Sequence, residues 1–116
     1  MKWALERKIQ AGFTAELITD NEGINPNKWT ISIEHEGTAE DDKVPTDAQF
    51  DASTRLSAWL FRNRLFTSGA TDVDVDRKHI IGHRDIAPID RPDDPPWTEA
   101  IFDRYIRTVR DLLGLP

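Results

Sequence analysis

"HIIGHRDIAPIDRPDDPP" (residues 79–96) carries an apolar step, a glycine and a histidine, and then a loop rich in acids and prolines. We predict a short strand at residues 79–82, so that His83 would stand at its carboxyl end. Asp94 follows in the loop, whose prolines reduce the entropy lost when the loop backbone is fixed. A histidine in this place is either a packed side chain bonded to the loop backbone or a metal ligand or acid–base group.

The other two histidines are interpreted as structural. His79 precedes His83 by four positions, and four residues of a strand span about 13 Å, much farther apart than two nitrogens bound to one zinc ion at about 2 Å. We therefore interpret His79 as structural or exposed. His35 falls on the apolar face of an earlier predicted strand and is interpreted as packed rather than ligating.

That earlier strand is "WTISIEHEG" (residues 29–37), in which apolar and polar residues alternate. One face carries Trp29, Ile31 and Ile33, and the other carries Thr30, Ser32 and Glu34. A helix lies between the two predicted strands, and a strand–helix–strand unit normally forms a right-handed crossover with parallel strands. Sites in such sheets gather beyond the carboxyl ends of the strands, which is where Glu34 and His83 would lie.

Two helices are predicted with clear start signals. Thr46 and Gln49 have the spacing of a capping box, which predicts a helix running to about residue 65. Its expected apolar stripe comprises Phe50, Ala52, Leu56, Trp59 and Leu60. Thr98 is the predicted N-cap of the second helix. The apolar stripe of that helix comprises Ile101, Phe102, Tyr105, Ile106, Val109, Leu112 and Leu113.

Composition narrows the class of protein. A chain of 116 residues suffices for one small domain, and the absence of cysteine excludes disulfides, thiolate catalysis and cysteine-based zinc sites. A formal net charge of −6 argues against a nucleic-acid partner. No run of about 18 apolar residues exists, so no transmembrane helix is expected, and no membrane partner is predicted. The first residues do not resemble a secretory signal, which predicts a cytoplasmic protein as synthesised.

Three motifs together resemble one family. They are "NPNKWTISIEHEG" (residues 25–37), "PTDAQFDASTRLSAWL" (residues 45–60) and "IIGHRDIAPIDRPDDPP" (residues 80–96). Their order and spacing resemble those of the zinc-dependent N-acetylmuramoyl-L-alanine amidases, the amidase-2 group. This group is related to endolysin-like phage lysozymes and to peptidoglycan recognition proteins. The resemblance covers about residues 25–113, which follow an irregular segment at residues 1–24. It implies that residues 1–116 form a single α/β domain, in which a mixed β-sheet is flanked by helices.

The resemblance also implies an activity and a site. The activity is hydrolysis of the amide between N-acetylmuramic acid and L-alanine of the stem peptide in peptidoglycan, by a zinc-bound water. His83 and Asp94 correspond to two zinc ligands, with Asp93 a close competitor of Asp94. Glu34 corresponds to the catalytic acid or base. Arg91 falls where the family has a lysine, and it keeps the charge but cannot donate a proton at ordinary pH.

One departure from the family pattern concerns the remaining zinc ligand. Family members carry a first zinc histidine on an early strand, whereas residues 1–24 contain no histidine. We therefore expect a domain that lacks its first strand and an incomplete site for Zn2+, since a catalytic zinc needs three protein ligands. The alternative is a catalytically impaired, non-hydrolytic peptidoglycan-binding module. Without its first strand the sheet would have an open edge, through which a homo-oligomer could form. The protein would act on the cell wall if it were released or exported.

Overall fold

The computed structural model describes residues 23–25, 30–37, 44–63 and 75–116. Within these ranges the chain forms three helices, α1 (Asp47–Asn63), α2 (His83–Ile86) and α3 (Glu99–Leu112). Helices α1 and α3 pack against each other, and the short α2 lies in the connection that leads to α3. Residues 1–22, most of the predicted irregular segment, lie outside the described part.

Helix α1 begins at the predicted capping box, which is confirmed. The backbone N–H of Thr46 donates to Oε1 of Gln49 at 3.0 Å, and the backbone N–H of Gln49 donates to Oγ1 of Thr46 at 3.1 Å. The Gln49 amide also donates to the carbonyl of Glu36 at 2.7 Å, which ties the start of α1 to the segment 30–37. The predicted end of the helix near residue 65 lies outside the described residues.

The predicted buried stripe of α1 is largely wrong. The buried residues are Phe50, Ser53, Thr54, Ser57 and Ala58, and Leu60 is half-buried. Leu56 and Trp59 are 45% and 50% exposed, and Ala52 is exposed as well. Trp59 comes nine residues after Phe50, which at about 3.6 residues per turn puts it on the opposite side of the helix. The side that faces α3 is therefore the one that carries two serines.

These serines are buried because one tyrosine of α3 satisfies them. The Tyr105 hydroxyl lies 2.6 Å from Ser53 Oγ and 2.7 Å from Ser57 Oγ, and it donates to the Ser53 carbonyl at 2.9 Å. Burial raises the pKa of the Tyr105 phenol. A buried hydroxyl with partners is tolerated, whereas the same group without partners is costly.

Helix α3 and its predicted start are confirmed, whereas Leu112 of its predicted apolar stripe is 39% exposed. Thr98 Oγ1 accepts a hydrogen bond from the backbone N–H of Ile101 at 3.3 Å, as an N-cap should. The buried face presents Phe102, Tyr105, Ile106 and Val109. The helix is followed by Gly114 at φ +71°, a left-handed conformation that favours glycine after a helix C-terminus.

The hydrophobic core lies between α1, α3 and the loops that flank α2. Its buried members are Phe50, Ala58, Val75, Trp97, Phe102, Tyr105, Ile106 and Val109. Trp97 is 5% exposed, and its ring lies 5.4 Å from that of Phe102 and 5.7 Å from that of Tyr105. The loop that ends at Trp97 is thereby anchored to the start of α3.

The predicted mixed β-sheet is wrong for the described residues, which are helical and contain no strand. Residues 30–37 form no strand, and residues 79–82 belong to a turn and the approach to α2. The Oδ1 of Asp76 accepts from the backbone N–H groups of Lys78 (3.0 Å) and His79 (3.1 Å). The Asp76 carbonyl accepts from Ile80 (2.9 Å), so these donors are used locally and cannot join a ladder.

Two further predictions depended on that sheet, the right-handed crossover between its strands and the open edge left by the missing first strand. Without the sheet, neither prediction has a basis. In the described ranges no strand is present on which Glu34 and His83 could share a sheet edge, or from which a second chain could continue a sheet. His79 has a structural contact, as predicted, because its Nδ1 lies 2.7 Å from Asp76 Oδ1. None of the helices described is long and apolar enough to cross a membrane.

Replacing Tyr105 by phenylalanine is expected to lower the free energy of unfolding by about 1–3 kcal/mol, because both serine hydroxyls lose a buried partner. Urea unfolding followed by far-ultraviolet circular dichroism measures the change. Adding Ser57→Ala to the Tyr105→Phe protein should restore part of the loss, since the unsatisfied hydroxyl is then gone. A Tyr105→Phe protein as stable as the parent would contradict this account.

Candidate functional site

His83 and Asp94 are brought together by the turn that contains α2. The Nδ1 atom of His83 lies 3.1 Å from Oδ2 of Asp94, and the two side chains are 49% and 56% exposed. His83 is the first residue of α2, and Asp94 lies in the loop that precedes α3. Asp93 is exposed and forms no hydrogen bond to His83 within the described residues, so Asp94 is the acid that meets the histidine.

A close packing contact helps to set this approach. A Cβ atom on Gly82 would lie 2.8 Å from Cδ of Pro95 and 3.2 Å from Cζ of Phe102. The backbone of Gly82 has an ordinary φ of −91°, so the glycine is needed for the space and not for its conformation. The residue before His83 therefore touches the residue after Asp94 directly.

The α2 turn itself is held by a nearly buried carboxylate. Asp85 Oδ2 accepts from the backbone N–H of Gly82 at 2.7 Å and lies 2.9 Å from Nη1 of Arg77. The side chains of Arg77 and Asp85 are mostly buried, so this ion pair is screened less than a surface pair. The arrangement fixes where α2 begins and therefore where His83 stands.

Glu99 links the same region to the first turn of α3. Arg77 donates to both carboxylate oxygens of Glu99, at 3.0 and 3.1 Å, and Arg84 donates to Oε1 at 3.2 Å. The hydrogen bond from Arg77 is the main reason that the pKa of Glu99 is lowered from its ordinary value. The Arg77 guanidinium also lies 3.9 Å from the ring centroid of Phe102, a cation–π contact.

His35 anchors the segment 30–37 to the core, as a packed histidine. Its Nε2 lies 2.7 Å from Ser53 Oγ, and its ring meets the Trp97 ring edge-on at 5.0 Å. Burial lowers the pKa of His35. Glu34 is the neighbour of this docked residue, so the predicted acid or base is carried on a segment that contacts the loop of Asp94 through Trp97.

Glu34 and Arg91 themselves stay apart from the His83–Asp94 pair. Both are exposed, and in the described ranges neither forms a hydrogen bond or an ion pair with His83 or Asp94. The backbone N–H of Arg91 donates to the carbonyl of Ala87 at 2.8 Å, which places this arginine in the turn after α2. The structure therefore brings His83 and Asp94 together and, in the part of the chain that it describes, leaves Glu34 and Arg91 without a bond to either of them.

The His83–Asp94 pair has the donor types and the spacing of two zinc ligands. Ligand atoms about 2.0–2.1 Å from a tetrahedral zinc ion are roughly 3.3 Å apart, close to the separation seen here. Within the part of the chain that the structure describes, no third histidine or acid completes a metal-binding group. These residues thus fit two positions of a zinc site.

Arg84 and Asp85 were not predicted as contributors to the site. The spacing of Gly82 and Asp85, an acid three residues after a helix N-cap, is a local signal that could have identified Asp85. The contacts of Arg84 reach residues more than ten positions away and have no comparable signal in the sequence.

Gly82→Ala is expected to lower the free energy of unfolding by about 1–3 kcal/mol, because the rigid Pro95 ring must move away from the new methyl group. The NMR signals of His83 and Asp94 should shift as well. Gly114→Ala is the matched control. It strains the backbone without crowding, and it should leave those two signals in place. Unchanged stability of the Gly82→Ala protein would refute the contact.

Protonation of His35 is expected to destabilise the fold. Its pKa is lower in the folded chain than the unfolded value of about 6.5, so the unfolded state binds more protons between the two values. Stability is therefore complete above about pH 6.5 and is lost as the pH falls through the folded pKa. Urea unfolding over a pH series should show a steeper fall for the parent than for His35→Gln. Identical profiles would contradict the assignment.

Comparison with known proteins places the chain in a family. The family model for N-acetylmuramoyl-L-alanine amidase, amidase-2, matches residues 3–97. The match begins earlier than the resemblance at residues 25–113 and takes in α1, α2 and the His83–Asp94 pair. Searches among curated proteins and among solved structures gave no match. Since the matched region spans most of the 116 residues, the chain belongs to the N-acetylmuramoyl-L-alanine amidase family.

Proposed function

We propose that this protein is a peptidoglycan amidase that hydrolyses the amide between N-acetylmuramic acid and L-alanine of the stem peptide, with His83 and Asp94 as two of the ligands of its zinc ion. The observation that carries the proposal is the 3.1 Å approach of the His83 nitrogen to the Asp94 oxygen in a chain of the amidase family. A histidine nitrogen and a carboxylate oxygen are both ordinary zinc ligands.

The bound metal would supply positive charge that polarises the scissile carbonyl and acidifies water. Residues of the chain would transfer the proton and stabilise the negative charge. Glu34 accepts a proton from the attacking water and passes it to the leaving amine, so the C–N bond breaks to give a lactyl carboxylate and a free L-alanine amine. Arg91 donates hydrogen bonds to the oxygen that gains negative charge.

Exposure of all four residues supports a polymeric substrate. His83 and Asp94 are about half exposed, and Glu34 and Arg91 are exposed in segments on the surface. A cross-linked wall polymer cannot enter a deep cavity, so an open site suits it. The exposed positions of Glu34 and Arg91 also leave both side chains free to turn towards a bound substrate.

Purified protein incubated with zinc and peptidoglycan is expected to release new L-alanine amino groups, which can be labelled and counted. Glu34→Gln should lower the rate by about 10²–10⁴-fold, the usual contribution of general acid–base catalysis. His83→Ala and Asp94→Ala should lose both stoichiometric zinc and hydrolysis. His79→Ala is the control histidine, and Asp93→Ala tests the neighbouring acid. Both should retain zinc and activity.

Two results would contradict the proposal. Metal analysis that finds no zinc in the parent, together with no release of amino groups, would remove the amidase activity. Retention on insoluble peptidoglycan without any hydrolysis would instead favour the non-hydrolytic binding module. Loss of zinc in Asp93→Ala and not in Asp94→Ala would move the ligand to the neighbouring acid.

A further inference from the structure

One arginine next to His83 holds the whole segment that carries Asp94. The backbone N–H of Arg84 donates to the Asp94 carbonyl at 2.6 Å. Its guanidinium Nη1 donates to the Pro95 carbonyl at 3.0 Å and also to the Trp97 carbonyl, and Nη2 donates to Glu99 at 3.2 Å. Four acceptors in residues 94–99 are therefore bound by a single residue.

The environment of Arg84 makes these bonds stronger than typical surface contacts. The side chain is 20% exposed, and its guanidinium lies 5.0 Å from the ring centroid of Phe102. Hydrogen bonds from a charged donor are stronger than neutral ones, and partial burial reduces their competition with water. The planar guanidinium can also reach carbonyls and a carboxylate at once, which the single ammonium of lysine cannot do.

His83 and Asp94, in contrast, hold each other only weakly. Both side chains are half exposed, and one contact joins them. A contact between two such exposed side chains contributes little. Their separation must therefore be set by the backbone on which they stand, that is, by the packing of Gly82 on Pro95 and by the bonds of Arg84.

We propose that Arg84 is a positioning residue that holds Asp94 beside His83 and thereby sets the metal affinity of the pair. The choice of zinc rests on the proposed function. When both ligands are held in advance, metal binding does not have to order the loop, so less of the binding free energy is lost. Residues that orient metal ligands in this way typically change metal affinity by about 10–100-fold when they are mutated.

Substitution of Arg84 should leave the fold intact. The α2 turn keeps the bond from Gly82 to Asp85, and Arg77 still binds both Asp85 and Glu99. A change in metal affinity can therefore be separated from unfolding by measuring the urea midpoint of each variant. Arg110 offers a matched control, because its guanidinium also donates to backbone carbonyls, those of Val75 and Pro116, near the other end of α3.

The test is a zinc titration by calorimetry on the full chain, comparing the parent with Arg84→Lys, Arg84→Gln and Arg110→Lys. Both Arg84 variants should bind zinc about 10–100-fold more weakly, and Arg110→Lys should match the parent. Hydrogen exchange of the amide of residue 84 is the metal-free measurement. This amide should exchange at least about tenfold faster in the Arg84 variants, because its bond to Asp94 is no longer supported by the guanidinium.

The outcomes separate this inference from the proposed function. Folded Arg84 variants that bind zinc as tightly as the parent and protect the residue 84 amide equally well would overturn the role of Arg84, whatever the enzyme hydrolyses. A parent that binds zinc but releases no L-alanine amino groups would overturn the hydrolytic function alone. A parent that binds no zinc would remove the zinc site and the claim about affinity, and the exchange rates would then decide whether Arg84 holds the loop.

Discussion

The packing of the buried Trp97 ring is the interaction on which the core, the segment of Glu34 and the loop of Asp94 all depend. Its ring packs against Phe102 and Tyr105 of α3 and against His35 of the segment 30–37. A tryptophan buries a large apolar area, and its backbone carbonyl is meanwhile bound by Arg84. One residue thus joins the core, the segment that carries Glu34 and the loop that carries Asp94. Any arrangement of the candidate site has to keep this ring in place.

The parts of the fold that could be predicted from sequence are those decided locally. The Thr46 capping box and the Thr98 N-cap were both found because each depends on residues three positions apart. The strand at residues 79–82 is predicted wrongly, because a short apolar step says nothing about a competing turn, and the carboxylate and carbonyl of Asp76 take up the donors that a ladder would need. Whether an apolar alternation becomes a strand depends on a partner that the same stretch does not contain.

The candidate site likewise has a part that could be predicted from sequence and a part that could not. That His83 and Asp94 belong together was expected from the family resemblance, and the structure places their side chains in contact, whereas their role as metal ligands stays a proposal. The ionic contacts behind them were not anticipated. Arg77 and Arg84 reach acids and carbonyls on other segments, and a charged residue shows no periodicity that would reveal such a partner. The contact between His83 and Asp94 was therefore easier to predict than the groups that hold the two residues in position.

The hydroxyl cluster between α1 and α3 also decides how α1 is rotated about its own axis. The chain has a single tyrosine, and only one rotation of α1 brings both Ser53 and Ser57 to its hydroxyl. Turning the helix to bury Leu56 and Trp59 would gain apolar area but would leave the Tyr105 hydroxyl facing carbon, at about 1–3 kcal/mol for each unsatisfied group. The hydrogen bonds of the two serines thus determine which face of α1 packs against α3. A count of apolar residues would favour a different face.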